Sequence, residues 1–168
     1  MRFGRRARPS AVLSYLIPGV PFVHDGQMEG FDEKLPVQRV RPVKDQKPDL
    51  ELRAFYERLL SIAKDPLYRA GGTLTLWPQS GLVLIARRLK NRVAMIGVDL
   101  TASMPTNPEV ALPFDMIGAS FGEWIKNPMD RWNKQPVYVG RVGHDLRIRQ
   151  AEFKSWSQTH SFILEFNV

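Results

Sequence analysis

The side chains able to do chemistry are few in kind. The chain has three histidines, His24, His144 and His160, together with nine aspartates, eight glutamates and no cysteine. Without cysteine there is no disulfide, thiolate zinc site, iron–sulfur cluster or cysteine nucleophile. No HExxH or other close His/carboxylate spacing occurs, so neither a metal nor another cofactor is expected. GxSxG, P-loop and dinucleotide fingerprints are also missing. His144-Asp145, between Gly143 and Leu146, reads as a turn between strands, and His160 as a capping or packing residue where the last strand begins. One stretch is different. From Gly19 to Gly30 an imidazole (His24), two carboxylates (Asp25, Glu29) and an amide (Gln27) follow directly on the apolar residues Val20, Pro21, Phe22 and Val23. In a parallel α/β sheet, the end of a strand is where ligands bind. The plain alternative is that Asp25-Gly26 turns the chain, and spacing alone favours that alternative.

The elements that must position these residues fall into two textures. Residues 8–17 fit the last turns of a helix, broken by Pro18-Gly19 before an apolar strand at 20–23. Such a strand, apolar on both faces, belongs inside a sheet covered by helices. Residues 24–46 read as a long loop with at most a short strand at 35–40. The clearest helix follows. Asp49 can cap it, Glu51 suits its positive end, and Leu52, Phe55, Tyr56, Leu59, Ile62 and Ala63 recur at three- and four-residue spacing until Asp65-Pro66. Beyond Gly71-Gly72 the texture turns to β, with strands expected at 73–77, 82–88, 92–100, 109–114, 136–142, 151–156 and 161–167. Short strands spaced by turn residues read as an antiparallel sandwich or barrel. The expected division is 1–70 and 71–168.

Size and charge set the outer limits. At 168 residues and 19.2 kDa there is room for one domain, or one plus a piece of another. A 43% hydrophobic share against 24% charged residues is that of a globular chain. The longest apolar run, residues 11–23, is interrupted by Pro18, Gly19 and Pro21, so no membrane-spanning helix is expected. The arginines ahead of it lack a signal-peptide cleavage site behind it. A cysteine-free chain suits a cytoplasmic protein, the expected location. The net charge of +7 raises a polyanion partner. The basic residues are scattered apart from Arg2, Arg5, Arg6 and Arg8 and the Arg87-Arg88-Lys90-Arg92 stretch, and neither cluster carries a nucleic-acid motif. A solvated basic surface is the preferred reading.

The run from Pro18 through Gly30, PGVPFVHDGQMEG, resembles the last barrel strand of the alpha-amylase superfamily of glycoside hydrolases. There PG-x-P, two or three apolar residues and then GQ or GD with a nearby Glu recur. The departure is Met28, where the family has glutamate, with Glu29 one place later. Residues 48–60, PDLELRAFYERLL, resemble the helix that follows that strand and closes the barrel. Residues 92–100, RVAMIGVDL, and the stretch from Phe153-Lys154-Ser155-Trp156 to Leu164 are similar to strands of the amylase C-terminal domain. The resemblance implies a mainly β fold, an antiparallel β-sandwich of the amylase C-terminal type preceded by an α-β-α remnant of a (β/α)8 barrel. It also implies an alpha-glucan or oligosaccharide as partner, with sugar contacts from His24, Asp25 or Gln27.

Retaining glycosidases need two carboxyl groups ~5–5.5 Å apart across the scissile bond. In the superfamily the catalytic carboxylates follow the fourth, fifth and seventh barrel strands, all of which would precede Met1. No GFRxD-like motif and no Asn-His-Asp triplet occurs. The expectation is a C-terminal fragment of an amylase-type enzyme, inactive alone, whose partner is the missing N-terminal barrel or another copy of the chain. The alternative from another class is a non-catalytic carbohydrate-binding β-sandwich with Trp124, Trp132 and Tyr138 stacking on glucan rings. A basic nucleic-acid-binding β-protein is a third reading.

Overall fold

The computed structural model describes residues 4–31, 46–79, 81–102, 109–113, 125–142, 145–149 and 152–168. After a 3-10 turn at Gly4–Arg6, helix α1 runs Ala7–Leu16, burying Ala11, Val12, Tyr15 and Leu16. It stops at Ile17, because Pro18 disfavours a helical residue before it. Helix α2, Leu50–Ala63, starts where expected. The Asp49 carboxylate accepts from Leu52 N–H at 2.9 Å, and the buried face is Leu52, Phe55, Tyr56, Leu59, Ile62 and Ala63. Asp65 then caps the short helix α3, Pro66–Arg69, with Pro66 in its first turn.

The rest is antiparallel sheet. Strands β1 (Gly72–Gln79), β2 (Leu82–Leu89), β3 (Arg92–Asp99), β4 (Glu109–Pro113), β5 (Lys126–Asp130), β6 (Gln135–Pro136), β7 (Val139–Val142), β8 (Asp145–Arg149) and β9 (Ser161–Asn167) form two sheets, with the four-residue helix α4 (Trp156–Thr159) just before β9. The larger sheet has the order β1-β2-β3-β9-β5-β6 and the smaller β4-β8-β7. The two-residue side-chain period assigns each face. Leu82, Leu84 and Ala86 of β2, Val93 and Met95 of β3, and Phe162, Leu164 and Phe166 of β9 pack with Val110, Leu146 and Ile148 of the smaller sheet. Ile85, Ala94, Ile96, Val98 and Ile163 point the other way, into a core shared with α1, α2 and α3. The middle strand β3 is therefore buried on both faces. Gly97 lies opposite Phe162, and a Cβ there would clash with the Phe162 ring.

Two expectations need correction. Residues 20–23 join no sheet among the described residues, and Val20 is 94% and Phe22 74% exposed. Helix α1 packs on β3, in the middle of the larger sheet, and all strand pairs among the described residues are antiparallel, so the parallel neighbours that such a strand needs are not among them. Of the expected strand at 151–156, residues 152–155 instead form a turn leading into α4, and residue 151 lies outside the described residues. Phe153 and Trp156 are both buried in one core, a three-residue spacing, and Trp156 N–H donates to Phe153 C=O at 3.0 Å. Strands β5 and β8 were not anticipated. The possible strand at 35–40 lies outside the described residues.

Candidate functional site

The turn after residues 20–23 is tied to both long helices. Gln27 Nε2 donates to the Tyr56 hydroxyl of α2 at 3.1 Å and lies 3.5 Å from the Tyr15 hydroxyl of α1. Its Oε1 accepts from His24 N–H at 3.1 Å, and Tyr15 OH donates to Phe22 C=O at 3.2 Å. The Tyr15 and Tyr56 rings meet edge to face, 6.1 Å apart. Burial, with the neighbouring Tyr56, holds the Tyr15 hydroxyl above its ordinary pKa, so it stays a neutral donor. Main-chain bonds close the turn: Gln27 N–H to His24 C=O at 3.1 Å, Phe31 N–H to Gly26 C=O at 2.9 Å, and Asp49 N–H to Glu29 C=O at 2.9 Å. Gly26 has φ +75°, and a Cβ there would press into the Phe31 ring, so only glycine suits it.

The three sequence-predicted residues therefore share one turn but differ in what they present. The side chain of Gln27 is engaged with the helices and the turn, so it positions its neighbours. His24 and Asp25 are exposed, and the His24 ring stands edge-on to Phe22 at 5.1 Å. Together they offer an imidazole and a carboxylate on a hydrogen-bonded turn, a pair that can hydrogen-bond hydroxyl groups. Among the described residues no group of three or more histidines and carboxylates could hold a metal ion.

Of the aromatic residues expected to stack on sugars, Trp132 is buried. It packs on Phe55 with ring centroids 5.3 Å apart, and the Arg58 guanidinium covers it at 5.4 Å and donates to its carbonyl. Tyr138 is 73% exposed, and Trp124 lies outside the described residues. His144 does too, while His160 forms the left-handed C-cap of α4, with φ +48°.

Sequence reasoning missed a charged cluster that clamps α3 to the sheet. Arg92 donates to both Asp65 oxygens at 3.0 and 2.9 Å and to Glu165 at 3.1 Å. Arg131 lies 3.1 Å from Glu165 and 3.5 Å from Asp65, and the buried Tyr68 hydroxyl donates to Glu165 at 2.6 Å. The hydrogen bonds from Arg92 hold the Asp65 carboxyl below its ordinary pKa, against the opposing effect of burial. Four separated segments contribute, which no local pattern could reveal.

No protein-family model and no curated protein sequence matches the chain. Solved structures do. A noncanonic maltogenic alpha-amylase from Thermotoga neapolitana matches at TM-score 0.71 and 17% identity, over 98% of this chain and 37% of that one. The alpha-amylase from Geobacillus thermoleovorans, solved with acarbose, matches at 0.66 and 15%, over 98% and 33%. A Nostoc punctiforme debranching enzyme matches at 0.60 and 15%, over 96% and 31%. The chain thus spans about a third of the length of these enzymes. At such identities the likeness is one of fold: the helix-backed antiparallel sandwich described above is the fold of about a third of an alpha-amylase-type chain.

Proposed function

We propose that the chain is the C-terminal part of an alpha-amylase-type enzyme acting on alpha-glucans, contributing the last strand and helix of the barrel and the β-domain packed on it. In this reading the barrel strand is at 20–23, and the turn carrying His24 and Asp25 lies at its ligand-binding end. The observation that carries the reading is the exposure of Val20 and Phe22 on a segment that joins no sheet among the described residues, followed by a turn pinned to two helices. An apolar segment of this kind is a poor solvent-facing loop and a good inner strand once neighbours cover both faces. The shared fold with alpha-amylases, one of them solved with acarbose, supports alpha-glucans as the substrate class in this reading.

The catalytic carboxylates of such an enzyme belong to the part that this chain does not supply. The chain alone should release no reducing sugar from starch, whereas the chain joined to the coding segment upstream of Met1 should. In that longer protein His24→Ala should raise KM for maltodextrin. Reducing-sugar release by the purified, mass-verified chain would overturn the division of labour proposed here. Among the described residues the exposed Tyr138 favours the alternative of a non-catalytic binding module, and its replacement by Ala would then weaken retention on glucan gels.

A further inference from the structure

A cleft of about 410 Å³ opens where the starts of α1 and α2 meet the α4–β9 turn. Its polar lining is Arg5, Arg8, Asp49, Ser157, Gln158 and His160, and none of the turn residues at 24–27 contributes. The volume lies in the lower part of the range of small-molecule sites, about 300–1,000 Å³.

Some of the lining is fixed and some is uncommitted. Arg8 is held in place: it donates to Glu51 at 2.8 Å and to Gln158 C=O at 3.3 Å, with its guanidinium 5.6 Å from the centroid of the Phe55 ring. Asp49 uses Oδ1 to cap α2, leaving Oδ2 as an acceptor at the cleft. Arg5 and the Gln158 side-chain amide have no partner among the described residues. The Ser157 hydroxyl donates to Lys154 C=O at 3.3 Å and keeps its lone pairs. His160 is fixed by its left-handed backbone, and its buried Nδ1 lies 3.8 Å from the buried Asp99 carboxylate without hydrogen-bonding to it.

Two arginines, Arg5 and Arg8, and one carboxylate, Asp49, face the cleft, and Arg8 is offset by its pair with Glu51, which lies outside the lining. That balance disfavours a phosphate or carboxylate ligand. What is left is an alternation of uncommitted donors (the Arg5 guanidinium, the Gln158 NH2) and acceptors (Asp49 Oδ2, Gln158 Oε1, Ser157 Oγ) over the apolar side chains of Ala7 and Leu52. Vicinal hydroxyls offer a donor and an acceptor side by side, which is what planar amide, carboxylate and guanidinium groups pair with. We infer that this cleft is a carbohydrate-binding site separate from the His24 turn, taking a neutral sugar of one or two hexose units. Because it bridges both helices and the sheet, an occupant would also clamp the two layers together.

The test is a solution-NMR titration of the intact chain with maltotriose and, separately, with inorganic phosphate, following the Gln158 side-chain amide and the His24 and His160 ring signals. Saturable shifts at Gln158 and His160 with maltotriose are expected. Gln158→Ala and Arg5→Ala should each weaken this binding about tenfold, the loss of a hydrogen bond or two, while His24→Ala leaves it unchanged. Both positions are exposed, so neither variant should disturb folding. Shifts at Gln158 with phosphate only would overturn the proposal, as would maltotriose shifts confined to His24, an outcome that leaves the reading of the turn intact. Absence of any Gln158 shift at millimolar maltotriose would overturn it as well.

Discussion

At the scale of single residues, the turn at 24–31 owes its shape to hydroxyl and amide groups that the sequence presents as ordinary helix residues. Tyr15 and Tyr56 sit on apolar faces and read as core, yet their hydroxyls converge on Gln27. Tyr56→Phe keeps the ring and removes the acceptor of the 3.1 Å bond. The expected cost is about 0.5–1.5 kcal/mol of stability, with faster amide exchange at Gln27 and Phe31 and none at α2. Unchanged exchange at those two amides would show that main-chain bonds alone hold the turn. Gly97 makes a sharper case, since its neighbour Phe162 is wholly buried and stacks on Phe153 at 4.8 Å, with no room to yield. Gly97→Ala should cost about 1–3 kcal/mol by overpacking, read as a lower denaturant midpoint. Nothing in the local sequence RVAMIGVDL distinguishes this glycine from a turn residue, because the ring that requires it lies 65 positions away in sequence.

At the scale of elements, what could be read from sequence depended on whether an element carried its own signals. Helix α2 did: a capping Asp49, a six-residue apolar face and a terminating Asp65-Pro66 are all local. Strands β2, β3 and β9 did as well, since runs of branched and aromatic residues between turns specify strands whatever their partners. Residues 153–156 did not, because Phe and Trp suit strand or helix equally and only their common burial decides. The attachment of α3 was invisible for a different reason: its cluster draws Asp65, Arg92, Arg131 and Glu165 from four segments. That attachment makes stability depend on acid. Asp65 has its folded-state pKa lowered, so its contribution is present above the unfolded value near 3.8 and is lost as pH falls through the folded one. Melting temperature should therefore drop as pH is lowered from about 4. Asp65→Asn should cost on the order of 1–3 kcal/mol at neutral pH and flatten that acid slope. An unaltered slope in the variant would assign the acid sensitivity to other carboxylates.

At the scale of the whole molecule, the helices and the sheet meet in one core, although composition changes sharply at Gly71-Gly72. Leu59 of α2 is fully buried in the same cluster as Ile96 of β3 and Ile163 of β9, and Trp132 beside β5 packs on Phe55 of α2. The sequence could show the change of texture at that glycine pair but not the shared burial, because an apolar helix face and an apolar strand face do not declare what they pack against. The same features that place α2 on the sheet also hold the His24 turn, through Tyr56, and shape the cleft, through Asp49. Coupling between layers can be measured by a substitution confined to one of them. Leu59→Ala removes side-chain atoms from the shared core and should cost about 2–5 kcal/mol. If the core is a single cooperative unit, the most protected amides of β3 should lose protection by the same free energy as those of α2, and a single thermal transition should move down as a whole. If residues 71–168 hold together without the helices, β3 amides should keep their protection while α2 amides lose theirs, and the change at Gly71-Gly72 would then be a boundary between independently stable parts.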